Sequence, residues 1–231
     1  MDTASASVAA IAADPREFAG LEKHLHGCRP LGWPLRYAVT GAIAGREWFL
    51  CAHGPGPRLA ARAAAEAIER AHPGAIVSTG FCGGLDPALD PCAVFVARRI
   101  LDEFTDERFE TAHPAGGTLV SGDRVVTTLP EKAALHQTTG ACAVDMEAAA
   151  VARTAAAAGL PLYCIRVVTD SAYEAFPLDF NRARDSEGRF SKLKIAAAAA
   201  ARPSAIRGLI DLDRRTRMAA NVLGDYLASN F

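Results

Sequence analysis

Short apolar runs alternate along the chain with longer stretches in which apolar residues recur every three or four positions. Short β-branched runs are typical of buried strands, whereas a period of about 3.6 residues is typical of amphipathic helices. The predicted strands cover residues 8–13, 48–52, 75–79, 94–100, 118–127, 141–145 and 162–168. The predicted helices cover residues 15–26, 58–71, 131–137 and 147–158, with one or two more after residue 181.

This alternation predicts an α/β fold. Strands that are apolar along their whole length need cover on both faces, so we expect a three-layer α/β/α arrangement around a mixed, largely parallel central sheet. Ligands of such sheets bind beyond the carboxyl ends of the strands. The segments in that position are residues 14–17, 52–58, 80–85, 145–147 and 169–171.

The composition is that of a globular protein, because half of the 231 residues are hydrophobic and 22% are charged. The net charge of −1 gives no reason to expect nucleic-acid binding. No run reaches about 18 apolar residues, and no basic segment followed by an apolar run opens the chain, so we expect a cytoplasmic protein. The six cysteines lack C-x-x-C spacing, which favours reduced thiols, and no spacing predicts a metal site.

The end of the chain differs in charge from the rest. Residues 181–217 carry ten basic and four acidic side chains, or +6, against −7 elsewhere. One interpretation is a pair of terminal helices that pack on the core and expose a solvated basic face. The other is peripheral contact of residues 182–217 with an anionic membrane, at the inner surface of the cell membrane.

A glycine-rich turn, Gly54-Pro55-Gly56-Pro57-Arg58, precedes a predicted helix. The helix N-terminus and Arg58 would suit an anion such as phosphate, held by Gly54, Gly56 and Arg58. It lacks the third glycine of a dinucleotide fingerprint and the Lys-Ser/Thr of a P-loop. Arg58 as an ordinary surface residue is the alternative.

Two carboxylate motifs follow buried strands. Asp145 and Glu147 flank Met146 at the start of an alanine-rich helix, where Glu147 either satisfies the helix dipole or accepts hydrogen bonds from ligand hydroxyls. Asp170 ends the most hydrophobic strand. It either caps the next turn or, with a pKa raised by its apolar surroundings, serves as a general acid.

Five motifs occur in a fixed order and carry a resemblance. They are Val-Ala-Ala-Ile-Ala-Ala at 8–13 with Glu17, Ser-Thr-Gly-Phe-Cys-Gly-Gly-Leu at 78–85, Ser-Gly-Asp at 121–123, Ala-Val-Asp-Met-Glu-Ala-Ala-Ala at 143–150 and Arg-Val-Val-Thr-Asp at 166–170. Through them the chain resembles the nucleoside phosphorylase and methylthioadenosine/adenosylhomocysteine nucleosidase superfamily. The segment Pro-Leu-Asp-Phe-Asn at 177–181 and the basic end are similar to its hopanoid-associated branch, whose members remove adenine from adenosylhopane.

The resemblance implies a catalytic domain over residues 1–180 and a basic helical extension, 181–231, packed on the same domain. It implies cleavage of the N-glycosidic bond of a purine nucleoside without a cofactor, with inorganic phosphate a candidate co-substrate. Asp170 would protonate the purine and Glu17 would activate water. The implied substrate-binding residues are Phe81, Cys82, Gly83, Val125, Val126, Asp145, Met146 and Glu147.

The chain departs from the family pattern at two positions. Phe81 stands where nucleosidases usually carry serine, and Val125 where they carry an aromatic residue. These changes fit a more apolar 5′ group, such as that of a lipid-linked nucleoside. The sequence leaves open whether water or phosphate is the nucleophile. Three alternative functions also stay open: a methylthioadenosine/adenosylhomocysteine nucleosidase, a purine nucleoside phosphorylase and a non-catalytic nucleoside-binding module. The resemblance also implies a homodimer or higher homo-oligomer.

Overall fold

A computed structural model describes residues 7–185 and 189–231. Its strands are β1 (Val8–Ala12), β2 (His26–Pro30), β3 (Tyr37–Ile43), β4 (Arg46–Ala52), β5 (Ala75–Gly84), β6 (Val94–Asp102), β7 (Arg108–Glu110), β8 (Gly117–Ser121), β9 (Ala143–Asp145) and β10 (Leu162–Asp170). Its α-helices are α1 (Pro57–Ala71), α2 (Leu129–Thr139), α3 (Ala148–Ala157), α4 (Lys192–Ala201) and α5 (Ser204–Asn230). Short 3₁₀ helices span Pro15–Phe18, Leu21–His24 and Phe180–Ala183.

The strands form one mixed sheet that partly closes on itself. Its order is β10-β6-β8-β9-β5-β1-β4-β3-β2, and β10 also pairs with β5. The strands β5, β10, β6, β8 and β9 therefore form a closed ring, and β1, β4, β3 and β2 extend from it. Of the ten pairings between described strands, five are parallel and five antiparallel, so the sheet is mixed, as predicted.

Two apolar cores lie on opposite faces of the sheet. Successive side chains of a strand point to opposite faces, and β1 illustrates this: Ala9 and Ile11 pack into one core with α1 and α3. Val8 and Ala10 pack into the other with the end of α5. The helices thus cover the sheet on both sides, as the whole-length apolar strands predict.

Three predicted elements differ in the structure. The helix at 15–26 is two 3₁₀ helices, of which the first is capped by Asp14 as its sequence predicts. The glycine-rich segment at 80–84 continues β5 and is not a loop. The strand at 118–127 ends at Ser121 because the Asn181 side chain, not another strand, binds the main chain of Val125.

Helix α5 lies directly against the segment between the first two 3₁₀ helices. A Cβ built on Gly20 would lie 2.2 Å from the carbonyl oxygen of Ala220, and one built on Gly224 would lie 2.1 Å from the amide nitrogen of Leu21. Only glycine allows two backbones to approach this closely. The last helix is therefore fixed to the turn that carries Glu17.

Candidate active site

One cavity of about 840 Å³ opens at the carboxyl ends of β1, β5, β9 and β10. Its wall includes every predicted catalytic and substrate-binding residue: Glu17, Phe81, Cys82, Gly83, Val125, Val126, Asp145, Met146, Glu147 and Asp170. Glu17 follows β1, and Phe81 and Asp170 lie near the ends of β5 and β10; these three strands are parallel, so their carboxyl ends meet at one edge. Strand β9 runs antiparallel to β5 and brings Asp145 to the same cavity. The volume is within the range of about 300–1,000 Å³ that is usual for small-molecule sites.

Glu17 is a buried carboxyl held by main-chain donors. Its Oε2 accepts hydrogen bonds from the N–H groups of Ala13 and Asp14 at 2.8 and 2.9 Å, and its Oε1 accepts one from Phe81 at 2.8 Å. Burial raises the pKa of Glu17, and the hydrogen bonds from Asp14 and Phe81 oppose that rise. The site thus holds an oriented carboxyl whose proton affinity is above that of an exposed glutamate, which suits a general base.

Glu147 is the second carboxyl, at the start of α3. Its Oε1 accepts a hydrogen bond from Gly56 N–H at 2.7 Å, so the glycine turn before α1 donates to this carboxyl. Burial, followed by the nearby Asp145 charge, raises the pKa of Glu147 from 4.5 to about 8.

We expect the raised pKa of Glu147 to lower stability as pH rises. Between about pH 4.5 and 8 the unfolded chain has lost this proton while the folded chain keeps it. The free energy of unfolding therefore falls with rising pH, by at most about 1.4 kcal/mol per unit. Glu147→Gln removes this pH dependence. In urea unfolding, the free energy of unfolding of the variant minus that of the wild type should therefore be larger at pH 8 than at pH 5.5.

The exposed Glu69→Gln is the matched control for this measurement, because it removes a carboxyl from the surface of α1. A difference between Glu147→Gln and wild type that is the same at both pH values would contradict the assignment.

A buried ion pair lies beneath the carboxyls. Arg166 donates to Asp145 Oδ2 from Nε at 3.1 Å and from Nη2 at 2.6 Å, and Nη2 also donates to Ser78 Oγ at 2.9 Å. Asp145 Oδ2 in turn accepts from Ala148 N–H at 2.9 Å, which fixes the start of α3. Among the described residues, Arg166 Nη1 and Asp145 Oδ1 have no partner. Both atoms are buried beneath the cavity wall.

Asp170 is the third carboxyl, at the end of β10. Its Oδ1 accepts from Thr169 Oγ1 at 2.8 Å, and its Oδ2 accepts from Lys132 Nζ at 2.5 Å. Burial raises the pKa of Asp170, and the ammonium of Lys132 opposes that rise. A buried carboxyl with a raised pKa is suited to donate a proton as a general acid.

A backbone segment faces Asp170 across the cavity. The amide of Asn181 binds both main-chain groups of Val125, accepting from its N–H at 2.8 Å and donating to its C=O at 2.9 Å. The N–H and C=O of Val126 make no hydrogen bond within the described part of the chain. The wall of the cavity thus includes a residue with one free main-chain donor and one free main-chain acceptor.

The far end of the cavity is apolar. It is lined by side chains from the segment after β10 and from α4 and α5: Phe176, Phe180, Phe190, Ile195, Leu209 and Leu212. The three phenylalanine rings stack edge to face, with centroids 5.5 Å apart for Phe176 and Phe180 and 6.2 Å apart for Phe180 and Phe190. This part of the cavity offers apolar contact area to a ligand.

The predicted phosphate ligands lie in and just after the turn before α1, of which Pro55 lines the cavity. Gly54, Gly56 and Arg58 are not among the described residues that line the cavity, and the Gly56 N–H already binds Glu147. The sequence did not single out Arg166 for a role of its own, and no pattern in it pointed to Lys132 or Asn181. Among the described residues, no group of three or more His, Cys, Asp or Glu side chains is placed to hold a metal ion.

No helix among the described residues is both long and apolar enough to cross a membrane.

Comparisons with known proteins agree with this geometry. The family model described as the phosphorylase superfamily matches residues 7–116 and 107–206. The 5′-methylthioadenosine/S-adenosylhomocysteine nucleosidases of Mycobacterium bovis and Mycobacterium tuberculosis are 32% identical over 102 residues. That stretch covers 41% of this chain and only 40% of each relative.

Solved structures match over nearly the whole chain. The nucleosidase of Neisseria meningitidis in complex with methylthio-immucillin-A has a TM-score of 0.75 at 23% identity, covering 96% of both chains. That of Campylobacter jejuni has a TM-score of 0.75 at 15% identity, covering 97% of this chain and 98% of the other. At such identities these likenesses show the fold, which confirms the predicted mixed α/β architecture. With the family model matched from residue 7 to residue 206, the chain belongs to the phosphorylase superfamily.

Proposed function

We propose that this protein hydrolyses the N-glycosidic bond of an adenine nucleoside that carries a large apolar 5′ group, with adenosylhopane the leading candidate. The observation that carries the proposal is the meeting of three carboxyls, Glu17, Glu147 and Asp170, in one cavity whose far end is apolar. The family model and the mycobacterial relatives support nucleoside chemistry. The similarity of residues 177–181 to the hopanoid-associated branch supports the lipid-linked substrate.

Each carboxyl has a role in this reaction. Asp170 donates a proton to purine N7 while the C1′–N9 bond breaks and its electron pair passes to the base. Glu147 binds ribose hydroxyls, and Met146 packs against the sugar. Glu17 accepts a proton from the water that attacks C1′. The sugar resembles an oxocarbenium ion at the transition state, and the surrounding carboxylates stabilise its positive charge.

Charge favours water over phosphate as the nucleophile. A phosphate anion beside the Glu17 carboxylate, which accepts the proton of water in this reaction, would meet like charge, and that is costly where water is excluded. The Arg166 guanidinium is paired with Asp145, and Arg16 at the rim is paired with Asp14. The glycine turn that would otherwise bind phosphate donates to Glu147.

The direct test is to incubate the protein with adenosylhopane in buffers with and without phosphate and to identify the sugar product. We expect adenine and the free hemiacetal in both buffers. Adenine release that requires phosphate and yields a 1-phosphate would overturn the choice of water. No release of adenine from any purine nucleoside would overturn the enzyme assignment and leave a nucleoside-binding module.

A second candidate is a methylthioadenosine/adenosylhomocysteine nucleosidase, which the mycobacterial relatives favour. The cavity argues for a larger substrate, because its wall beyond the carboxyls includes the aromatic rings of Phe176, Phe180 and Phe190. Adenine release from methylthioadenosine but not from adenosylhopane would favour the second candidate.

We also propose that α4 and α5 contact an anionic membrane, where a lipid-linked substrate resides. Leu193 and Ile210 are 81% and 63% exposed. Ile206 and Ile210 share a face of α5 with the exposed basic residues Arg207 and Arg214. Exposed apolar side chains among cations are typical of interfacial helices. Residues 186–188 of the predicted contact stretch lie outside the described residues.

Co-sedimentation with vesicles tests the membrane contact. We expect Leu193→Ser/Ile210→Ser to weaken binding to phosphatidylglycerol vesicles at least threefold, relative to wild type and to Tyr173→Ser, which changes an exposed side chain outside α4 and α5. Equal binding by all three proteins would remove this part of the proposal. We further propose that the protein forms the homo-oligomer that the resemblance implies. Light scattering after size-exclusion chromatography tests this.

A further inference from the structure

Lys132 is a fully buried cation on a helix that is otherwise at the surface. It is the one buried residue of α2, and its side chain is 1% exposed. Its Nζ donates to Asp170 Oδ2 and to the main-chain oxygen of Ser171, both at 2.5 Å. Burying an ammonium group is costly unless it is paired. A single buried ammonium group on a helix that is otherwise at the surface indicates that Lys132 serves the carboxyl that it contacts.

We propose that Lys132 is a positioning residue for glycosidic cleavage, which orients the Asp170 carboxyl and stabilises the carboxylate left when Asp170 gives its proton to the base. The inference rests on the proposed function, in which Asp170 is the acid. It adds a residue from α2 to a site otherwise built at the strand ends.

The hydrogen bonds assign a different task to each oxygen of Asp170. Oδ2 accepts from an ammonium group, so it is not the oxygen that carries the proton. Oδ1 lies beside Thr169 Oγ1 and is the oxygen left to protonate the substrate. In the step itself the Oδ1–H bond breaks, the proton binds purine N7, and the electron pair stays on the carboxylate. Lys132 keeps its own proton and offsets the new negative charge through Oδ2.

The other charged or titratable groups near Asp170 do not replace Lys132. Glu174, on the segment after β10, is like-charged and raises the pKa of Asp170. Its carboxylate is bound by Arg215 of α5 at 2.8 Å, and the same guanidinium nitrogen donates to Thr169 C=O at 3.0 Å. Cys82 of β5 is a buried thiol whose pKa burial raises, so it stays neutral. Lys132 is therefore the cation in direct contact with the acid.

Without Lys132, only the hydrogen bond from Thr169 still opposes the effect of burial on Asp170, and the carboxyl becomes a weaker acid that keeps its proton to higher pH. We therefore expect Lys132→Met to lower kcat for adenine release about tenfold or more, since proton transfer by a matched acid accelerates such steps. The alkaline limb of the kcat–pH profile should move to higher pH, and KM should change less than kcat. A residue with only a structural role would lower the amount of folded protein and leave the limb in place.

Two further variants and one control variant keep the test decisive. Lys132→Gln retains a hydrogen-bond donor and removes the charge, which covers the case in which the methionine variant does not fold. Lys132→Met/Asp170→Asn leaves no unpaired buried charge and should be as slow as Asp170→Asn alone, because Lys132 acts through Asp170. Arg62→Met, which removes an exposed cation from α1, should leave the profile unchanged.

The outcomes separate this inference from the proposed function. Full activity of Asp170→Asn would overturn the role of the acid itself. An inactive Asp170→Asn with an unshifted alkaline limb in both Lys132 variants would overturn the role of Lys132 alone. The role of Lys132 would also be overturned if Lys132→Met lowered the rate of the Asp170→Asn protein and the rate of the wild type by the same factor.

Discussion

Asp170→Asn should release adenine at least about 10²-fold more slowly than the wild type while still binding the nucleoside, as expected when a general acid is lost. An amide has the size of the carboxyl and cannot give up a proton to N7. Its oxygen can still accept from Lys132 Nζ, and its NH₂ group can donate to Thr169 Oγ1, so the side chain keeps both neighbours. The rate is measured as single-turnover adenine release and the binding by calorimetry.

The exposed Asp90→Asn, which changes a surface carboxyl in the same way, is the control and should be fully active. The Asp170 variant should also be less stable, because Lys132 remains buried without its counter-charge. A variant that folds, binds the nucleoside and cleaves within threefold of the wild-type rate would end the role assigned to Asp170.

Glu17→Ala should reduce hydrolysis by about 10²- to 10⁴-fold, the range for the loss of a general base. The substitution also leaves three main-chain N–H groups, those of Ala13, Asp14 and Phe81, without their acceptor. Each buried unsatisfied donor costs about 1–3 kcal/mol, so part of the stability is lost as well. Thermal unfolding followed by circular dichroism separates the two effects.

Chemical rescue provides the sharper readout for Glu17. Formate is small enough to occupy the space of the deleted carboxyl and to accept both the amide hydrogen bonds and the proton of water. Added formate should therefore restore part of the activity of Glu17→Ala and none of that of Asp170→Asn. If Glu17→Ala stays folded and hydrolyses the substrate at the wild-type rate, water is activated elsewhere.

Much of this site was predictable because it is formed where strands end. Glu17 follows β1 and Asp170 ends β10, and both strands run parallel to β5, so the strand rule places these two carboxyls at one edge of the sheet. Asp145 and Glu147 follow β9, which runs antiparallel to β5, so the rule alone does not place them there. Segment 80–84 was misassigned because glycines usually interrupt strands. In the structure they allow β5 to pass close to Glu17 and Asp170: a Cβ on Gly80 would lie 2.5 Å from Glu17 Oε1.

What sequence reasoning missed depends on contacts between distant residues. Lys132 lies on a helix whose pattern gives no sign of a buried face. Its partner Asp170 is 38 residues away along the chain, and only the fold brings the two side chains together. The residues Val125 and Val126 have the β-branched character of a strand, yet Asn181 holds them in a loop. The strand β2 was missed because all five of its residues are exposed at the sheet edge.

The two glycines at which α5 meets the Glu17 turn limit how the end of the chain can be studied. Truncating the protein before α5 would remove Ala219, Leu223 and Leu227 from the interior and withdraw the surface on which that turn rests. A shortened protein that no longer sediments with vesicles would then report loss of the structure around Glu17, not loss of an anchor. Membrane affinity and chemistry can be dissected in this enzyme only by changing its outward-facing side chains and leaving its length intact.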